Sequence, residues 1–423
     1  MSPPVPTPRQ RGFTLVELLI SLVVVAFMTA GAMALLGSQQ RAFQNTSAER
    51  ALQETARAAL TEMGENLRRA GYGIEPYYAF DFGPLNITAT TPNIVSQSYQ
   101  CASAVTCRDQ INGADEIVFH ARDPAFGRSL SSAPTTSTLT IVGGLQTPLY
   151  QGQILQVMCP GAADWAYVTV ATVVPANWAP PAAPPATTTI GLAAGVAGNP
   201  FPAQNAKLTG TCFIAGTPSD IRVLKVDRFR YYLARFADPE TPAGRPYLML
   251  DRGLTDASGN LLVEPVAPDV EDLQFSYVFP NATAGPATVG ATLGTALANS
   301  AASIDLGAVP PLFNDPDDIP TRGNQSPANI RAVRVSLVTR TPGQDIRLGN
   351  IAVNGALQSS VDATGAGNLV PGSGNRGDWA GDSYHHRLRM ETTEATRNLD
   401  TRVPYYPAYS TNSGADGLNV GGG

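Results

Sequence analysis

The alternation of apolar and polar positions divides the chain into three regimes. Leu18 to Leu36 is an unbroken apolar run of 19 residues without a charge, about the minimum for a helix that crosses a bilayer. Beyond Gly37 the chain turns polar but keeps a helical period. Leu52, Ala56, Ala59, Leu60, Met63, Leu67 and Ala70 recur at spacings of three and four, which places them on one helical face. Arg68 and Arg69, followed by Gly71 and Gly73, mark the expected end, with cations at the negative pole and glycine available for a left-handed cap. The pattern predicts one helix from residue 13 to about residue 70, roughly 85 Å long. Its polar-half stripe reads as ordinary core packing and implies no cofactor.

From Ile117 onward the period shortens to that of strands, with β-branched and aromatic runs separated by Gly, Pro, Asn and Asp. Strands are predicted at Glu116–His120, Thr138–Val142, Gln153–Met158, Trp165–Val174, Ile221–Phe236, Tyr247–Leu250, Val270–Phe279, Ile330–Arg340 and His386–Thr396. One long helix followed by nine strands predicts an α+β protein with an antiparallel sheet. Two insertions, near 175–210 and 281–312, are rich in Ala, Pro, Gly and Thr and almost free of charge, as in low-complexity linkers. Within the first, Ile190 to Leu192 also fits a strand, which would make it an ordered subdomain.

Composition narrows the function. Charged residues make up 15% and the formal net charge is -6, which excludes a basic nucleic-acid-binding protein and a highly charged solvating tail. Only Lys207 and Lys225 among the 28 basic residues are lysines, a bias that carries no chemistry. Cys101, Cys107, Cys159 and Cys212 lack the spacing of a zinc or redox motif. An even number in two natural pairs points to disulfides. Of the three connectivities, 101–107 with 159–212 is the most economical, and the longer loop would contribute roughly 4 kcal/mol in the chain-entropy model. Bridges place most of the chain outside the cytoplasm; four separate buried thiols are the alternative.

The N-terminal segment carries the sharpest signal. Residues 1–12 contain Arg9 and Arg11 and no acid, so the positive-inside rule leaves the N-terminus in the cytoplasm and sends the rest across the membrane. A secretory signal peptide with a small-residue cleavage site near Met28 to Ala34 is the bland alternative, but it does not account for Glu17. A carboxylate inside a membrane helix costs on the order of 3 kcal/mol at the centre and calls for a partner. Cutting after Gly12 creates one: the amine of Phe13 lies one turn from Glu17, and in a bundle of such helices each carboxylate could neutralise a neighbour's terminal amine.

Arg11-Gly12-Phe13-Thr14-Leu15-Val16-Glu17-Leu18 resembles the class III signal of type IV pilins and type II secretion pseudopilins. That resemblance implies cleavage between Gly12 and Phe13 by a prepilin peptidase, N-methylation of Phe13, and Glu17 as the acid that sets register during assembly. The family's usual helix-breaking Pro is missing from the apolar run, so no local melting of the helix is expected. Arg230–Tyr232, Tyr247–Arg252, Val270–Tyr277, Ile330–Leu337 and a last strand near Arg389 to Asn398 resemble the strand order of PilW-like minor pilins, with J-type pseudopilins sharing a similar scheme.

The resemblance implies a pilin-like α+β fold with leader 1–12, membrane or filament-core helix 13–36, amphipathic helix 37–71, and an enlarged β-rich head over 72–423. It also implies an inner-membrane protein with a periplasmic head. Its partners would be the prepilin peptidase, major and minor pilins, the inner-membrane assembly platform, a tip adhesin and the lipid bilayer, with roles in pilus assembly and adhesion, or in secretion for a pseudopilus.

Other sites carry less. Asn314 with Asp315, Asp317 and Asp318 has a composition that suits Ca2+ but lacks the Gly and Glu of a calcium loop, and a solvated turn is the favoured reading. His385 and His386, near Asp382, would point to opposite faces of a strand. No phosphate loop, nucleophile elbow or H-E-x-x-H occurs, so neither a cofactor nor an enzymatic activity is expected; a secreted or membrane-anchored extracytoplasmic enzyme or carbohydrate-binding protein with a fortuitous N-terminal signal is the competing reading.

Overall fold

The computed structural model describes residues 14–81, 94–96, 114–159, 164–174, 185–194, 204–215, 217–239, 241–242, 244–278, 330–342, 369–370, 379–380, 385 and 387–400. The chain divides into two units, Met1–Ala51 and Leu52–Gly423. Helix α1 (Leu15–Leu67) contributes residues to both.

In the second unit, α1 buries the predicted stripe. Ala56, Ala59, Leu60, Met63, Leu67 and Ala70 form one core cluster with Phe119, Phe229, Tyr231, Leu250, Leu273, Val335 and Leu337. The helix stops where its cap was expected, with Gly71 and Gly73 at φ +75° and +68°. The chain then runs along the outer edge of β2 (Ile117–Ser129). There Gly71 N–H donates to the His120 carbonyl at 2.9 Å, and His120 N–H donates to the Ala79 carbonyl at 2.9 Å.

The remaining strands are β1 (Ile94–Ser96), β3 (Thr138–Val142), β4 (Ile154–Met158), β5 (Trp165–Val170), β6 (Thr187–Ala193), β7 (Arg222–Phe236), β8 (Arg245–Thr255), β9 (Leu261–Pro268), β10 (Val270–Val278), β11 (Ala332–Arg340), β12 (Leu369–Val370), β13 (Trp379–Ala380) and β14 (Arg387–Ala395). A nine-stranded sheet runs β3-β6-β5-β4-β7-β8-β9, with β1 and β2 also paired to β7; β10-β11-β14 form a three-stranded sheet and β12-β13 a third. Among the described residues every pairing is antiparallel. The α+β class and the antiparallel sheet predicted from the sequence are therefore present.

Strand β7 organises the large sheet. One of its edges takes β4 at residues 222–226 and then β8 at residues 230–236, and the other takes β2. Where β4 and β8 meet end to end, Gln151 bridges Thr255. Gly152 there has φ +91°, and a Cβ would collide with the Gly253 carbonyl oxygen, so the junction needs glycine.

Alternation along β7 sends Phe229, Tyr231 and Leu233 toward the helix and Arg230, Tyr232 and Ala234 to the opposite face. Arg230 is buried there between two carboxylates. It donates to Glu116 Oε2 from Nε (3.0 Å) and Nη2 (2.8 Å), and to Asp251 Oδ2 from Nη1 (3.1 Å), over the Tyr232 ring.

A second core lies under β3 to β6, built from Leu139, Ile141, Leu155, Val157, Val168, Ile190 and Phe213. Here the structure extends the sequence expectations. Ile190–Leu192 belongs to a longer strand, β6, so part of the first insertion is ordered. Other limits shift: β5 ends at Val170, with Val174 making only an isolated bridge to Leu149, and β8 runs on to Thr255. Strand β9 was not predicted. It contains Pro265 and Pro268, which read as strand breakers, but at a sheet edge a missing N–H costs no ladder bond.

Candidate assembly segment

The first unit is built from the apolar run. Leu15–Gln40 is a stretch of 26 residues, none of which is buried. At ~1.5 Å per residue it is ~39 Å long, more than the ~30 Å of a bilayer core. Its large side chains face outward, Leu15 at 77% and Phe27 at 76% exposure. Polar atoms in the run are satisfied within the helix: Ser21 Oγ donates to the Leu18 carbonyl (2.9 Å), Thr29 Oγ1 to Val25 (2.7 Å) and Ser38 Oγ to Leu35 (2.7 Å). Such back-bonding removes the cost of a bare hydroxyl in an apolar medium.

Glu17 sits in the first turn and its carboxylate is not bare. Its Oε2 accepts from Thr14 N–H at 3.0 Å and from Thr14 Oγ1 at 2.9 Å, while Glu17 N–H lies 3.3 Å from Thr14 Oγ1. Thr14 precedes the first helical residue and Glu17 is the third within the helix, so the pair forms a capping box that satisfies donors at the open helix end. The sequence reading gave Glu17 only an intermolecular partner. Thr14, the local one, was signalled by the spacing T-x-x-E. Gly12 and Phe13 lie outside the described residues.

The cysteine expectation is met where it can be seen. Cys159 and Cys212 are disulfide-bonded, with Cα atoms 6.3 Å apart, a normal span for a bridge. The bond ties the end of β4 to the short helix α2 (Thr211–Ala215), whose Phe213 plugs the second core. Cys101 and Cys107 lie outside the described residues, as do Asp315, Asp317, Asp318, Asp382 and His386. His385 is buried, with Nδ1 2.6 Å from the Thr341 carbonyl. Among the described residues no group of three or more His, Cys, Asp or Glu is arranged to hold a metal ion.

No curated protein and no solved structure matches the chain. A family model does match its start: residues 7–33 fit the prokaryotic N-terminal methylation motif, a span that contains Gly12, Phe13, Thr14 and Glu17. With an exposed apolar helix directly behind it, the segment has the arrangement found at the N-terminus of type IV pilin-like and pseudopilin-like proteins, and supports a membrane-anchored protein of that kind.

Proposed function

We propose that this chain is a minor pilin-like structural subunit of a type IV pilus, cut after Gly12 and N-methylated on Phe13 by a prepilin peptidase. It sits in the inner membrane with its β-rich head in the periplasm until the assembly platform draws it into the filament. There it acts with other pilins in initiation and display at the tip. It is substrate, not catalyst, of the processing step. The observation that carries this reading is the methylation motif over 7–33 followed by a helix whose apolar surface has no protein covering. That surface needs lipid before assembly and neighbouring helices afterwards. Arg9 and Arg11 support a cytoplasmic N-terminus, and the Cys159–Cys212 bridge supports an oxidising compartment for the head.

Glu17 is the acid that sets register, neutralising the Phe13 amine of an adjacent subunit. Replacing it with Ala tests this. The Glu17→Ala protein is expected to insert and be processed, but to be missing from sheared filaments in an immunoblot. Incorporation at the wild-type level would overturn the role given to Glu17.

A further inference from the structure

Beyond the assembly segment, the sheet face opposite α1 carries polar and aromatic side chains to which the proposed assembly role assigns no part. After crossing the edge of β2, the chain packs Ile74 and Tyr78 onto that face against Ile154, Tyr167 and Val226. Glu75 stands beside them, half-buried. Burial pushes its carboxyl above the usual value, and the Trp165 indole and then Lys207 pull it part of the way back. Trp165 is itself only half-buried.

Around this pair other groups are held in place. The Tyr167 hydroxyl accepts from Gln156 Nε2 at 3.1 Å. Gln156 is 4% exposed, and its Oε1 has no hydrogen-bond partner among the described residues, a debt that a buried polar atom normally settles with a water or a ligand. Arg122 lies 5.4 Å from the Tyr72 ring centroid and reaches the sulfur of Met158, the residue paired across strands with Trp165. Gly73 makes room for that guanidinium: its φ is +68°, and a Cβ would stand 2.5 Å from Arg122 Nε.

We propose that this surface binds a neutral saccharide. The half-buried carboxylate of Glu75 and guanidinium of Arg122 are planar groups with paired acceptors or donors, which match the vicinal hydroxyls of a pyranose. The half-exposed indole offers an apolar face for the ring's C–H side. Glu75 and Arg122 carry opposite charges, so an ionic ligand gains at one and loses at the other, whereas a polyol gains at both.

The test is saturation-transfer NMR on the full-length protein in detergent micelles, with a panel of neutral gluco-, manno-, galacto- and N-acetylglucosamine oligosaccharides and, beside it, a set of anionic uronate and sialylated glycans. Transfer to the ring protons of at least one is expected. Trp165→Ala and Glu75→Gln should each weaken that binding at least about tenfold, with an unchanged circular dichroism spectrum. Should Trp165→Ala perturb the fold, Glu75→Gln decides alone. No transfer from any panel member at about 1 mM, binding of anionic glycans only, or full affinity in Glu75→Gln would overturn the proposal.

Discussion

At the scale of single residues, the least forgiving position is Arg230. Its guanidinium is buried between Glu116 and Asp251, and both carboxylates pull its pKa upward against the effect of burial. Removing it takes the guanidinium away from two buried carboxylates, so Arg230→Met should destabilise the chain by about 3–5 kcal/mol in denaturant unfolding. Replacing all three groups by apolar residues should restore most of that loss. A change within about 0.5 kcal/mol for Arg230→Met would show the site to be solvated. None of this was legible beforehand, because Glu116, Arg230 and Asp251 are far apart in sequence and meet only through the β2-β7-β8 register. Thr14 was legible in principle, since a T-x-x-E spacing is local.

Glu75 sets a pH dependence with a definite sign. Its folded value is raised from 4.5, first by burial, so the folded chain holds the proton more tightly than the unfolded chain. The associated stabilisation is full below about pH 4.5 and is lost as the pH climbs through the folded value. Glu75→Gln removes that slope. Unfolding midpoints measured from about pH 4 to about pH 7 should show the wild type losing stability relative to the variant as pH rises; parallel profiles would contradict the burial of Glu75.

At the scale of elements, what could be read from the sequence was whatever had its own period or its own punctuation. The α1 stripe from Leu52 to Ala70 and the strand Thr138–Val142 were legible because each alternates against one buried face. Strand β9 was hidden by Pro265 and Pro268, whose tolerance depends on an edge position that only the finished sheet defines. The second core depends on a covalent tie. Cys159–Cys212 spans a sequence separation of 53 residues, for which the chain-entropy model gives about 4 kcal/mol. Cys159→Ala with Cys212→Ala should cost about that much. Hydrogen exchange should quicken mainly in β3, β6 and the segment around Phe213, and the α1-packed core should keep its protection. Uniform loss across both cores would show that the bridge does not serve the second core specifically.

At the scale of the whole molecule, two kinds of surface divide the chain. The unit Leu52–Gly423 closes its apolar faces over its own sheets, whereas the unit Met1–Ala51 leaves the apolar side chains of α1 without protein cover. A water-soluble monomer does not expose a contiguous apolar stretch of that length, and the first part of it lies within residues 7–33, which fit the prokaryotic N-terminal methylation motif. Local motif and local composition were enough to find this segment, because both are read from contiguous residues and need no fold. The proposed saccharide surface depends on side chains of Glu75, Arg122 and Trp165, brought to one face only by pairing and chain crossing. The central claim is that the chain is a processed prepilin, and intact-mass and N-terminal peptide mass spectrometry of the protein from its native membrane tests it most directly. The account predicts a mature chain beginning at Phe13 and carrying one methyl group on its amine. An intact leader, or a cut at any other position, would contradict it.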